Sequence, residues 1–104
     1  MDAVDSSAEL SKWLSERRHI LTTKFITTRL IVLESASINK ATITLESSTH
    51  VGNITAWGGG TFEIIVLDLA TKKEVLFRHQ EFSIPEELRL LLDEYSELFS
   101  NLSH

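Results

Sequence analysis

Three consecutive glycines, Gly58, Gly59 and Gly60, stand between two runs of β-forming residues, and a third such run follows within fifteen positions. Residues 51–57 end in Trp57, and residues 62–69 resume with Phe62, Glu63, Ile64, Ile65, Val66 and Leu67. Residues 70–73 are a short polar connection, and residues 74–82 form the third run. Glycine reaches positive φ without steric cost and is entropically poor inside a strand, so the triplet reads as a turn. Strand, glycine turn, strand, short turn and strand describe an antiparallel meander. Such a segment displays a surface and carries no reaction apparatus.

The flanking sequence supplies the cover for that sheet. Ser6 and Glu9 have capping-box spacing, and Leu10, Trp13, Leu14, Arg17 and Leu21 follow at helical intervals. This predicts an amphipathic helix over 7–21 with Trp13 inward, and with Lys12, Glu16 and Arg18 on the outer face. Lys12 and Glu16 stand one turn apart there. Residues 24–33 are rich in β-branched and aromatic side chains and read as a strand, with a longer first helix as the alternative. Residues 34–40 read as a loop. Residues 42–46 alternate, Ile43 and Leu45 against Thr42, Thr44 and Glu46, as a half-buried strand does. Residues 47–50 form a polar turn. Residues 62–69 are apolar on both faces apart from Glu63 and Asp68, as in a central strand. In the last strand Val75, Phe77 and His79 fall on one face, with Leu76, Arg78 and Gln80 opposite.

A second capping-box spacing, Ser83 to Glu86, precedes the final helix, and the chain's one proline, Pro85, lies in its first turn, where its missing N–H costs nothing. Leu88, Leu91, Leu92, Tyr95, Leu98, Phe99 and Leu102 trace a wide apolar stripe over 84–100. The expected fold is α+β in one domain over residues 1–104. It comprises an N-terminal helix, a four- to five-stranded antiparallel β meander and a C-terminal helix, with both helices packed on one sheet face.

Composition excludes several classes. The chain has no cysteine, so no disulfide, thiolate metal site or cysteine nucleophile exists. No apolar run is long enough to span a bilayer, and the acidic start, Met1 to Asp5, lacks the basic and apolar regions of a secretory signal. A cytoplasmic protein with no membrane partner is expected. The formal charge of −5 opposes direct binding of nucleic acid, which requires a basic stripe. It fits a soluble domain, or an acidic surface that captures a basic protein.

Catalytic constellations do not emerge. His19, His50, His79 and His104 lack metal-ligand spacing. No Gly-x-Ser-x-Gly elbow occurs, and the glycine triplet lacks the lysine and following helix of a phosphate loop. Glu63 and Asp68, five residues apart in one strand, point to opposite faces and form no dyad. The expectation is a protein that is not an enzyme and uses no cofactor and no metal.

The meander resembles a known family. Gly52-x-Ile54-x-x-Trp57-x-x-Gly60, then Phe62-Glu63-x-x-Val66-Leu67-Asp68, the Thr71-Lys72 turn and Arg78-His79 before the final helix are similar to the TriTu-type immunity proteins of bacterial toxin systems. The Lys12-Trp13-Leu14 helix is similar too, and the likeness extends from Leu10 to Phe99. Gly58 and Gly59 depart from the pattern, standing where the family usually has polar residues. The resemblance implies a cytoplasmic antitoxin of a contact-dependent inhibition or related polymorphic toxin system. It would bind the C-terminal nuclease domain of a cognate toxin and cover its active site. The implied toxin cleaves tRNA, and elongation factor Tu is an implied further partner reached through the toxin.

A toxin that handles RNA presents a basic groove, for which an acidic domain is a suitable plug. The candidate partner-binding residues are Glu46, Trp57, Glu63, Asp68, Arg78 and Glu81, the exposed acids, aromatics and arginine around the meander. Each is equally an ordinary solvated strand residue, and Trp57 equally a core one. A different class also fits: a small acidic secretion chaperone that holds an unfolded effector, of the kind that dimerises through a helix or strand. A small ligand-binding domain would need a polar-lined cavity.

Overall fold

The computed structural model describes residues 6–34 and 39–103. Their order is α1 (Ser6–Thr23), β1 (Thr27–Glu34), β2 (Asn39–Glu46), β3 (His50–Trp57), β4 (Thr61–Asp68), β5 (Glu74–Glu81) and α2 (Pro85–Leu102). The five strands form one sheet in the order β1-β2-β3-β4-β5, every pair antiparallel. Both helices lie on one face of it, α1 across β1 to β3 and α2 across β3 and β4. This is the expected α+β meander with five strands.

Of the strand expected over 24–33, Thr27 onward is extended and runs to Glu34, while residues 24 and 25 form the turn that ends α1. The Ile26 N–H donates to the Leu21 carbonyl and the Phe25 N–H to the Thr22 carbonyl, both at 3.0 Å, while Phe25 takes φ 60°. This is a Schellman termination, in which a left-handed residue reverses the chain and the flanking apolar pair, here the buried Leu21 and Ile26, closes it. Phenylalanine occupies the position that glycine usually fills. The expected 34–40 loop is shorter than its composition suggested, since Glu34 pairs with Asn39 and Lys40 with Leu33. The first capping box rests on Ser6, whose side chain lies outside the described residues.

The core forms between the helices and the covered face of the sheet. Trp13, Leu10 and Leu14 of α1 meet Ala41, Ile43 and Leu45 of β2, Ile54 and Ala56 of β3, and Phe62, Ile64 and Val66 of β4, all fully buried. Leu88, Leu92, Tyr95 and Phe99 close it from α2. The Phe62 and Tyr95 rings stack at 5.5 Å between centroids. Phe99 lies so close over Gly52 that a Cβ there would stand 3.0 Å from its ring.

Three local expectations are corrected. Ile64 and Val66 are buried while Ile65 and Leu67 lie on the uncovered face, so β4 is buried on one side only. Ser83 does not cap α2: Ile84 occupies the cap position in extended backbone without a side-chain bond, and Glu87 reaches back to the Ser83 N–H at 3.1 Å. Glu16 bonds the Arg89 guanidinium of α2 at 2.6 Å, joining the two helices. Beside it, Asp93 accepts from the Trp13 indole N–H at 2.7 Å and from Arg17 Nε at 3.3 Å.

Candidate functional site

With both helices on one side, alternate residues of every strand form a second face that no described element covers. Register sets its rows. Thr42, Thr55, Glu63 and His79 lie side by side across β2 to β5, and Thr44, Asn53, Ile65 and Phe77 form the next row. Lys40, Trp57, Thr61 and Glu81 make the row at one end, and Glu46, Val51 and Leu67 lie toward the other.

Two chemical regions result. Over β1 to β3 the face is polar and internally bonded. Thr42 and Thr55 share a hydroxyl hydrogen bond at 3.1 Å, and the Thr44 hydroxyl donates to Asn53 Oδ1 at 2.8 Å. These ladders line a shallow hollow of about 490 Å³ together with Ile31, Val32 and Lys40. Over β4 and β5 a small apolar cluster stands among charged residues: Ile65 pairs with Phe77, which is 43% exposed, and Leu67 adjoins them, with Glu63 and His79 on one side and Glu74 opposite Leu67. At the border the Lys40 ammonium stands 5.6 Å from the Trp57 ring centroid, a cation–π contact that holds the half-buried indole in place. Glu63 lies 3.6 Å from His79 Nδ1.

Of the six residues singled out from sequence, this face brings together Glu46, Trp57, Glu63 and Glu81. Trp57 belongs to it and not to the core. Asp68 and Arg78 fall on the opposite parity. The Asp68 Oδ1 accepts the backbone N–H groups of Ala70 and Thr71 at 2.8 and 3.0 Å, organising the β4–β5 turn. Its pKa is held below the usual carboxylate value chiefly by the Thr71 N–H, against the opposing effect of burial. Its Oδ2 lies 3.8 Å from Nε2 of His50, a buried ring whose Nδ1 meets the Thr49 hydroxyl at 2.8 Å. Asp68 thus fixes a turn. Arg78 directs Nη1 to the Phe77 carbonyl at 2.7 Å on the outer edge of β5.

The acidity expected around the meander lies mostly elsewhere. Glu46, Glu63, Glu74 and Glu81 on the open face stand against Arg29 and Lys40. In α2, by contrast, Glu86, Glu87, Asp93, Glu94 and Glu97 meet one base, Arg89. Its outward stripe of exposed Glu86, Glu94 and Glu97 surrounds Leu90, which is 68% exposed. Sequence reading passed over Phe77, Ile65 and Leu67. Their alternation was visible, but which parity the helices would cover was not.

Among the described residues no group of three histidines or acids could hold a metal ion, and no helix is long and apolar enough to cross a membrane. A mixed face with one pinned indole, an apolar cluster of Ile65, Leu67 and Phe77 and satisfied polar ladders suits contact with another protein. The family described as "Immunity protein TriTu" matches residues 8–98. Among curated proteins, none matches the chain.

Proposed function

The chain belongs to the TriTu family of immunity proteins, and from that premise we propose that it neutralises its cognate toxin by laying the open face of the sheet over the toxin's C-terminal nuclease domain. The observation that carries this reading is the uncovered face itself. It presents Trp57 and Phe77, anchors of the kind that dominate interface energies, with Glu63 in the row between them and Glu46 and Glu81 in the outer rows. Most of its hydrogen-bonding side chains are already paired within the sheet, so docking there loses little side-chain freedom. The α2 acids play a separate part. A concentrated negative stripe beyond the contact steers a basic partner and raises the association rate more than the affinity.

On this reading the protein is an inhibitor and turns over no substrate. It works in the cytoplasm of a bacterium that carries a contact-dependent inhibition or other polymorphic toxin system. A tRNA-cleaving toxin is the target best matched to an acidic inhibitor, because its RNA groove is basic. Elongation factor Tu enters as a partner of the toxin and contacts this chain only through it.

The test is co-expression with the product of the neighbouring toxin gene, followed by a tRNA-cleavage assay with increasing amounts of the purified protein. Cleavage should fall to zero at one equivalent, and Phe77→Lys with Trp57→Ala should weaken inhibition at least a hundredfold while the fold is retained. Undiminished cleavage under stoichiometric excess would refute the inhibitor reading. Full potency of the double variant would move the contact off the open face.

A further inference from the structure

The hollow over β1 to β3 holds more hydrogen-bond donors than its own ladders consume. Thr42 and Thr55 share one bond, which uses one of their two hydroxyl protons and leaves the other. The Thr44 hydroxyl donates to Oδ1 of Asn53 at 2.8 Å, so both protons of that amide nitrogen remain available. Lys40 lines the same hollow, its ammonium 5.6 Å from the Trp57 ring centroid and in no ion pair with a described acid. Arg29, the β1 partner of Thr44, stands exposed at the rim and likewise has no ion-pair partner among the described residues. No carboxylate lines the hollow. Two cations, an amide nitrogen and a spare hydroxyl, brought together without an opposing charge, are the lining that an anion needs.

We propose that this hollow receives an acidic side chain of the toxin, aspartate or glutamate, an inference that rests on the open face being the toxin contact. The acids around the hollow decide between a protein carboxylate and a nucleic acid. Glu63 stands beside Thr55 across β3 and β4, and Glu46 follows Thr44 along β2. A run of phosphates entering the hollow would meet both, on a chain of formal charge −5. A single carboxylate is short enough to lie between them. The footprint is then of two signs. Basic groups of the toxin meet Glu63, Glu74 and Glu81 over β4 and β5, and one acid meets Lys40 and Arg29 over β1 to β3. A partner basic throughout would press like charge against Lys40 and Arg29, so the hollow selects the cognate toxin and fixes its orientation.

Isothermal titration calorimetry of the purified chain against the toxin domain tests it. Asn53→Asp keeps the shape of the side chain and the oxygen that Thr44 bonds, and exchanges the two amide protons for a negative charge. It should raise Kd about a hundredfold with an unchanged far-ultraviolet circular dichroism spectrum. Each surface aspartate and glutamate of the toxin is then changed in turn to lysine. One of these variants should lose affinity for the wild type and regain it, to within about fivefold, with Asn53→Asp. Unchanged or tighter binding by Asn53→Asp overturns the proposal, and so does the absence of any rescuing toxin variant. Binding of tRNA by the purified chain alone, read by fluorescence anisotropy and lost in Asn53→Asp, would make phosphate the anion and overturn it too. Affinity lost in Phe77→Lys with Trp57→Ala but kept in Asn53→Asp would overturn the occupant of the hollow and leave the open face as the contact. A wild type that does not bind the toxin overturns both.

Discussion

Adjacent glycines in the β3–β4 turn should respond very differently to the same methyl group. Gly60 has φ +102°, and a Cβ built there would stand 2.5 Å from the Phe82 carbonyl oxygen. Holding an L-residue in left-handed backbone costs roughly 1–2 kcal/mol. The clash is with backbone, so a rotamer change cannot relieve it. Relief requires the turn to move away from residue 82, which breaks the Phe82 N–H to Gly60 carbonyl bond of 2.8 Å, worth about 1 kcal/mol net. Against this, removing a glycine from the unfolded chain recovers about 0.5–1 kcal/mol. The expected net loss for Gly60→Ala is about 2 kcal/mol, or roughly 10 °C in Tm for a domain of this size. At Gly59 a Cβ meets nothing within 4 Å, so Gly59→Ala should change stability by no more than about 0.5 kcal/mol. Urea denaturation of the two variants and the wild type, with equal m-values as the check on two-state unfolding, reads the difference directly. Equal midpoints for Gly59→Ala and Gly60→Ala would refute the steric account of the turn.

Three further outcomes are expected. Asp93→Ala removes the acceptor of the fully buried Trp13 and a partner of Arg17; since the aspartate is itself part-exposed, a loss of about 1 kcal/mol is expected, and a wild-type melting temperature would show that water replaces the carboxylate. Asp68 has a lowered native pKa, so the native state binds its proton less readily than the unfolded chain. Its contribution is complete above the ordinary value of 3.8 and is lost as pH falls through the depressed native value, so the gap in urea midpoint between wild type and Asp68→Ala should shrink across that window; a gap independent of pH refutes it. Glu94→Lys with Glu97→Lys should slow toxin association and flatten its salt dependence while leaving dissociation unchanged, as measured by surface plasmon resonance; a faster dissociation would place α2 within the contact itself.

How much of this was readable in advance follows the range of the forces involved. Glu63 and Asp68 were correctly placed on opposite faces from spacing alone, because strand alternation is local. The same alternation separated Phe77 from Arg78 but did not reveal which of them would face the helices. Ser83 looked like a helix cap in the linear sequence, yet Ile84 holds that position and Glu87 supplies the bond to the Ser83 N–H. Glu16 had a lysine one turn away, and an arginine 73 residues on took it instead. Asp68 passed for a free surface acid, whereas two turn amides occupy it.

Sequence by itself determined the order of elements, the meander, the buried side of each helix and the family, since periodicity, turn residues and family pattern all lie along the chain. Tertiary structure alone decided which parity of each strand the helices cover and which residues the open face therefore presents. It also decided that the acids of α2 gather in an outward stripe around exposed Leu90. The reason is physical: a side chain's exposure and electrostatic surroundings depend on neighbours brought near only when the sheet closes against its helices, and those neighbours lie many tens of residues away in sequence.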